Sequence, residues 1–127
     1  LDSHDNVPGL LARASEHQNA ALFMIIKGAH DAISEGGRII HWVDEPQTPA
    51  MEAIGGTGDM VTGIVTGLLA GGMDLPQAAL TAARAARYAG SLAAPTPATQ
   101  IAEILPFVPQ ALRKALAQNG SGENGQK

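Results

Sequence analysis

The chain has 127 residues, of which 45% are hydrophobic, 16% charged and 3% aromatic. That composition suits one globular domain with an aliphatic, alanine-rich core and excludes a disordered chain. A formal net charge of −4 and a pI near 5.4 argue against a nucleic-acid binder that works through a basic face, and the absence of cysteine excludes disulfides, thiolate metal sites and a catalytic thiol.

Residues 1–5 read as a linker. From Asn6 to Asn19 a helix is expected, with Asn6 as cap, Pro8 in the first turn, and Leu10, Leu11 and Ala14 at helical spacing. The next run is continuously apolar from Ala20 to Ile26, as in a strand covered on both faces within a parallel sheet. Glu35-Gly36-Gly37-Arg38 is a hairpin signal and predicts strands near residues 32–34 and 39–43. The proline-rich stretch 45–50 cannot be a central strand. A glycine-rich turn follows, then a helix from about Asp59 to Ala70 expected to be central and buried, its Gly63 and Gly67 admitting another backbone.

Asp74-Leu75-Pro76-Gln77 is an aspartate-capped start with glutamine at the N3 position, opening an alanine-rich helix to about Ala94. Thr96-Pro97 suggests a short helix to Leu105, and Pro109 opens a last helix to Ala117. Residues 118–127 have the composition of a disordered tail. No apolar run approaches the roughly 20 residues that cross a bilayer, and the N-terminus lacks a signal-peptide pattern, so a soluble, cytoplasmic protein is expected.

The densest constellation is Gly55-Gly56-Thr57-Gly58-Asp59 at the start of a hydrophobic helix. Glycines leave successive backbone N–H groups uncovered, and the helix N-terminus behind them adds roughly half a positive charge. Such a turn suits a phosphate, with Asp59 placed to accept a proton from a hydroxyl attacking phosphorus and Thr57 as a further donor. The same residues also suit a plain tight connection in which the aspartate caps the helix. The turn is neither a Walker A loop, because no GK[ST] follows, nor a complete G-x-G-x-x-G dinucleotide fingerprint.

Other residues carry weaker signals. His4, His17, His30 and His41 show no metal-ligand spacing, and no metal site is expected. Trp42 suits packing better than base stacking, Arg84 and Arg87 suit a solvated helix face, and Thr62 and Thr66 are expected to bond back to helix carbonyls. Thr62 is also near enough in sequence to help orient Asp59.

The string GGTGDMVTGIVTGLLAGGMDLPQAA resembles the anion-hole and catalytic segment of the ribokinase-like superfamily, most closely the ADP/ATP-dependent NAD(P)H-hydrate dehydratases with their pattern NPGMATGG[ST]GDVLTGIIAGLLAQG. FMIIKGAHDAISEGGRIIHW resembles the family's Lys-Gly strand and hairpin, and IAEILPFVPQALRKAL its closing segment. Thr48 and Ala50 stand where the pattern has Asn and Gly, and one extra residue separates Met51 from the glycines.

The resemblance implies an α/β chain, the C-terminal portion of a three-layer ribokinase-like fold over residues 6–117: a strand, a β-hairpin and four to five helices. It implies that Asp59 is the catalytic base, that Gly55, Gly56, Thr57 and Gly58 form the anion hole, that Lys27 lies near the nucleotide phosphates, and that Thr62 plays a secondary part. ATP or ADP with its Mg2+ would phosphorylate the hydroxyl of hydrated NADH or NADPH, and phosphate would then be eliminated. The implied partners are a nucleotide and a small-molecule substrate, without nucleic acid or membrane. Family members are about twice as long, so the chain is expected to be a fragment of the full enzyme, to self-associate or to pair with an N-terminal half. A small-molecule kinase acting on a sugar or vitamin-precursor alcohol, and a non-catalytic nucleotide-binding or assembly module, remain as alternatives.

Overall fold

The structure is a computed structural model that describes residues 8, 9, 13 and 23–125. Of the helix expected over 6–19, Pro8, Gly9 and Arg13 are helical, and the remainder lies outside the described residues, as does the linker 1–5. The chain divides into two compact units, Leu1–Asp44 and Glu45–Lys127.

In the first unit, β1 (Phe23–Ile26), β2 (Asp31–Glu35) and β3 (Arg38–Val43) form an antiparallel sheet in the order β1-β2-β3. The parallel pairing expected for β1 is thereby corrected. Its connection to β2 is residues 27–30, and a parallel crossover needs a dozen residues or more. The expected hairpin is present: Gly36 and Gly37 take φ of 60° and 81°, the two left-handed positions that a two-residue turn matched to strand twist requires. Glu35 and Arg38 face each other across its base. Between Ile33 and Ser34 the register slips, with Ile40 left over on β3 as a bulge, and Ile40 is exposed. Ala32 is the buried centre of this unit's apolar cluster, with Met24, Ile26, Ile39 and Trp42 packed on it.

The second unit is helical. A 3-10 turn (Pro49–Ala53) leads to α1 (Thr57–Ala70), α2 (Leu75–Ala93), α3 (Ile101–Ile104), a second 3-10 turn (Leu105–Phe107) and α4 (Val108–Gly125). Together with the sheet these make a mixed α/β chain: strand, hairpin, then four α-helices among the described residues. The core is α2, which packs against both α1 and α4 and buries eight small or aliphatic side chains, seven of them alanines. Small side chains let neighbouring helices approach closely. Gly90 takes this furthest: a Cβ there would lie 2.8 Å from Met51 Cγ and Sδ, so the Met51 thioether occupies the space of the missing side chain.

Helix boundaries follow their local chemistry. Asp74 caps α2 by accepting the Gln77 N–H at 3.0 Å, as the sequence indicates. The helix expected from Thr96-Pro97 begins later. Thr96 and Thr99 instead tie a local turn, in which Thr99 Oγ1 accepts the Thr96 N–H at 2.9 Å, and α3 starts behind Gln100, whose N–H donates to the Glu103 carboxylate at 2.7 Å. The last helix also overruns the expected end at Ala117 and continues to Gly125, over residues expected to form the tail. Its extension carries polar ties to α2: Asn119 Oδ1 accepts from Arg84 at 2.8 Å, Asn119 Nδ2 donates to Thr81, and the Tyr88 hydroxyl donates to Gln118. Lys114 adds a cation–π contact over the Tyr88 ring at 4.6 Å.

The expectation of a central, buried α1 whose glycines admit another backbone is corrected as well. Met60, Val61 and Ile64 are buried, whereas Gly63, Gly67 and Leu69 are exposed. A Cβ at Gly63 or Gly67 would meet nothing within 4 Å, so these glycines face open space rather than a neighbouring backbone.

Candidate functional site

The start of α1 differs from that of α2. The first four N–H groups of a helix have no partner inside it, and Ser, Thr, Asp or Asn commonly accept one of them. Asp74 does so for α2, but the residue before α1 is Gly56, and no side chain caps this helix. The first intrahelical bond is Met60 N–H to Gly56 O at 3.0 Å. The amides of Thr57, Gly58 and Asp59 therefore stand at the positive end of the helix, ahead of that first bond.

The glycines of the turn answer two different physical demands. Gly56 has φ 95°, which an L side chain rarely adopts, and a Cβ there would press on the Ile101 side chain at 3.2–3.4 Å. Gly55 and Gly58 have nothing within 4 Å of where a Cβ would be, and both are exposed. One glycine thus makes the turn, and two keep its outer surface open. Thr57 is half-buried, and Asp59 is exposed in the first turn of the helix. The structure brings Gly55, Gly56, Thr57, Gly58 and Asp59 together on one continuous segment, an arrangement able to receive an anion beside a carboxylate.

The Thr62 hydroxyl donates to Gly58 O at 3.0 Å and Thr66 to Thr62 O at 2.8 Å, the back-bonding expected of both. Thr62 therefore holds the carbonyl of the turn's last glycine rather than directing its proton to Asp59. From Gly56 and Asp59 an open apolar groove of about 880 Å3 runs along α1 past Gly63 and Gly67, with Ile101, Leu105 and Leu112 on its other side.

Lys27 belongs to the other unit. It follows β1, 30% exposed, with Nζ 3.9 Å from Asp31 Oδ2. Asp31 is 1% exposed, and its Oδ1 accepts the Gly28 N–H at 3.1 Å. Next to them His30 Nδ1 lies 2.9 Å from Asp44 Oδ1. Sequence reasoning missed Asp31 and Asp44. An acid opening a strand whose next residues are Ala, Ile and Ser was the available signal for Asp31.

Arg84 and Arg87 are half-buried and bound to protein rather than lying on a solvated face: Arg84 donates to Asn119, and Arg87 to Pro46 O at 3.2 Å. Trp42 packs on the Ala32 cluster. His4 and His17 lie outside the described residues. Among the described residues no three His, Asp or Glu side chains are grouped to hold a metal ion, and no helix is long and apolar enough to cross a membrane.

Comparison with known proteins places these features in a family. The chain is 37% identical over 94 residues to an uncharacterized protein of Methanocaldococcus jannaschii, a match covering 74% of this chain and 41% of that one. It is 43% identical over 79 residues to the bifunctional NAD(P)H-hydrate repair enzyme Nnr of Pyrobaculum aerophilum, covering 61% of this chain and 15% of the enzyme. The matches thus span less than half the length of either relative. No solved structure matches the chain at a significant level. The family model described as NAD(P)H-hydrate dehydratase matches residues 3–106, so the chain, with its bare glycine turn and Asp59, belongs to the NAD(P)H-hydrate dehydratase family.

Proposed function

We propose that this chain carries the phosphoryl-transfer half of a nucleotide-dependent dehydratase of hydrated NADH or NADPH, built on the C-terminal portion (residues 6–117) of a three-layer ribokinase-like fold. The observation that carries the reading is the uncapped start of α1, where open glycines at 55 and 58 leave amide donors beside an exposed aspartate. An open cradle with no Cβ in its mouth fits a phosphate group. In this reading Mg2+ arrives on the ATP or ADP, whose phosphates bind it.

Bound nucleotide supplies the phosphoryl group that turns the substrate hydroxyl into a leaving group. The chain's own residues do the rest. Backbone N–H groups of the 55–58 turn hold the transferring phosphoryl oxygens, and the α1 dipole favours the charge they carry. Asp59 accepts the hydroxyl proton as its oxygen bonds to phosphorus and the bond to the departing nucleotide breaks. Thr62 keeps the turn's geometry through Gly58 O. Lys27 is assigned to the nucleotide phosphates, where its ammonium offsets negative charge.

The test is to incubate the protein with hydrated NADH and either ATP or ADP while following the absorbance of the reduced nicotinamide. Recovery by the parent and not by Asp59→Asn supports the reading. Nucleotide consumption without recovery of reduced cofactor would move it to a small-molecule kinase, and no binding of either nucleotide would end it.

A further inference from the structure

The connection between β1 and β2 is organised around one buried acid. Asp31 opens β2 at 1% exposure, where a carboxylate is costly unless hydrogen-bonded and paired with opposite charge. It has both: Oδ1 accepts the Gly28 N–H at 3.1 Å, and Oδ2 lies 3.9 Å from Lys27 Nζ. A lysine ammonium on its four-carbon stem samples many rotamers, and a fixed anion beside it selects among them. Lys27 remains 30% exposed, and an ammonium has three donors, so contact with Asp31 still leaves it able to meet a second anion.

We infer that Asp31 is a positioning residue, whose carboxylate fixes both the Gly28 backbone and the Lys27 ammonium so that Lys27 presents a preset charge to the nucleotide phosphates. This rests on the assignment of Lys27 to those phosphates. Two effects of the carboxylate oppose each other, and their balance gives the inference its sign. A nearby negative charge repels phosphate through space, so neutralising it by field alone would tighten binding. Losing the anchor frees Lys27 and weakens binding. Positioning requires that the second effect win.

The experiment is calorimetric titration of ADP and of ATP into the parent chain, Lys27→Ala, Asp31→Asn and the double variant, with circular dichroism on each. Asn keeps an oxygen for the Gly28 N–H, and Asp31→Ser is a second neutral variant should the first fail to fold. The inference predicts that Asp31→Asn weakens affinity at least roughly three-fold in the parent and by less than about two-fold when Lys27 is already alanine, since contacting residues couple on this scale. A purely structural role would cost the same in both backgrounds and overturns the inference, as does unchanged or tighter binding by Asp31→Asn. A parent that binds and a Lys27→Ala variant that binds equally well overturn the inference while leaving the glycine turn untouched. A parent that binds neither nucleotide overturns the underlying reading of the site, and the inference with it.

Discussion

Replacing Gly58 by alanine separates binding from folding. Gly58 lies in the first turn of α1, outside the left-handed region, and a Cβ there meets nothing within 4 Å. The fold therefore has no steric reason to object, and alanine gains up to about 1 kcal/mol over glycine in a helix, worth a few degrees of melting temperature at most. For the site the same methyl is an obstruction, because it stands on the surface where phosphate oxygens must reach the amides. Loss of one charge-assisted amide–phosphate hydrogen bond costs about 1.5–3 kcal/mol, or roughly a ten- to hundred-fold weaker Kd. Thermal melting and calorimetric titration with ADP and ATP on the same preparation measure both quantities. A variant that melts at or above the parent temperature and binds nucleotide ten-fold or more weakly agrees with the reasoning. Unchanged affinity in a fully folded variant would refute it.

Gly56→Ala should behave oppositely, because its φ of 95° and the Ile101 contact penalise any side chain; a loss of about 1–2 kcal/mol or more is expected, read as a lower melting temperature before any binding is measured. Gly37→Val places a β-branched residue at φ 81° in the hairpin turn and should open β2–β3, seen as faster amide exchange across those strands. Ser34 is fully buried, and its Oγ lacks a hydrogen-bond partner among the described residues. Ser34→Ala should accordingly be neutral or stabilising by about 1 kcal/mol in denaturant titration. Arg84→Met removes the donor to Asn119 and should cost about 1–2 kcal/mol, with exchange protection lost first in α4 near residue 119.

Local chemistry made much of the architecture legible. The glycine pair of the hairpin, the Asp74 cap with Gln77 at N3, and the hydrophobic helix after the glycine turn are each dictated by residues within a few positions, and the structure has all three. The rest depends on strand pairing, burial and side-chain contacts that composition and periodicity do not show. β1 looked like a buried parallel strand because its run is wholly apolar, yet its pairing is set by the short link to β2. The last helix was cut at Ala117 by its polar, glycine-rich continuation, whereas Arg84, Thr81 and Tyr88 on α2 supply the polar groups that Gln118 and Asn119 meet. At the site, the glycine turn and Asp59 could be picked out because they are contiguous. Asp31 went unnoticed because its meaning lies in burial and in contacts to Lys27 and Gly28, which composition does not reveal.

The central claim is that phosphate transfer to the substrate, through the 55–58 turn and Asp59, is what regenerates the reduced cofactor. Its most direct measurement is the ratio of inorganic phosphate released to reduced nicotinamide recovered from hydrated NADH with ATP or ADP, for the parent and for Asp59→Asn. The account predicts equal amounts of the two products from the parent and neither from the variant. Recovery of reduced cofactor without matching phosphate, or full turnover by Asp59→Asn, would contradict it.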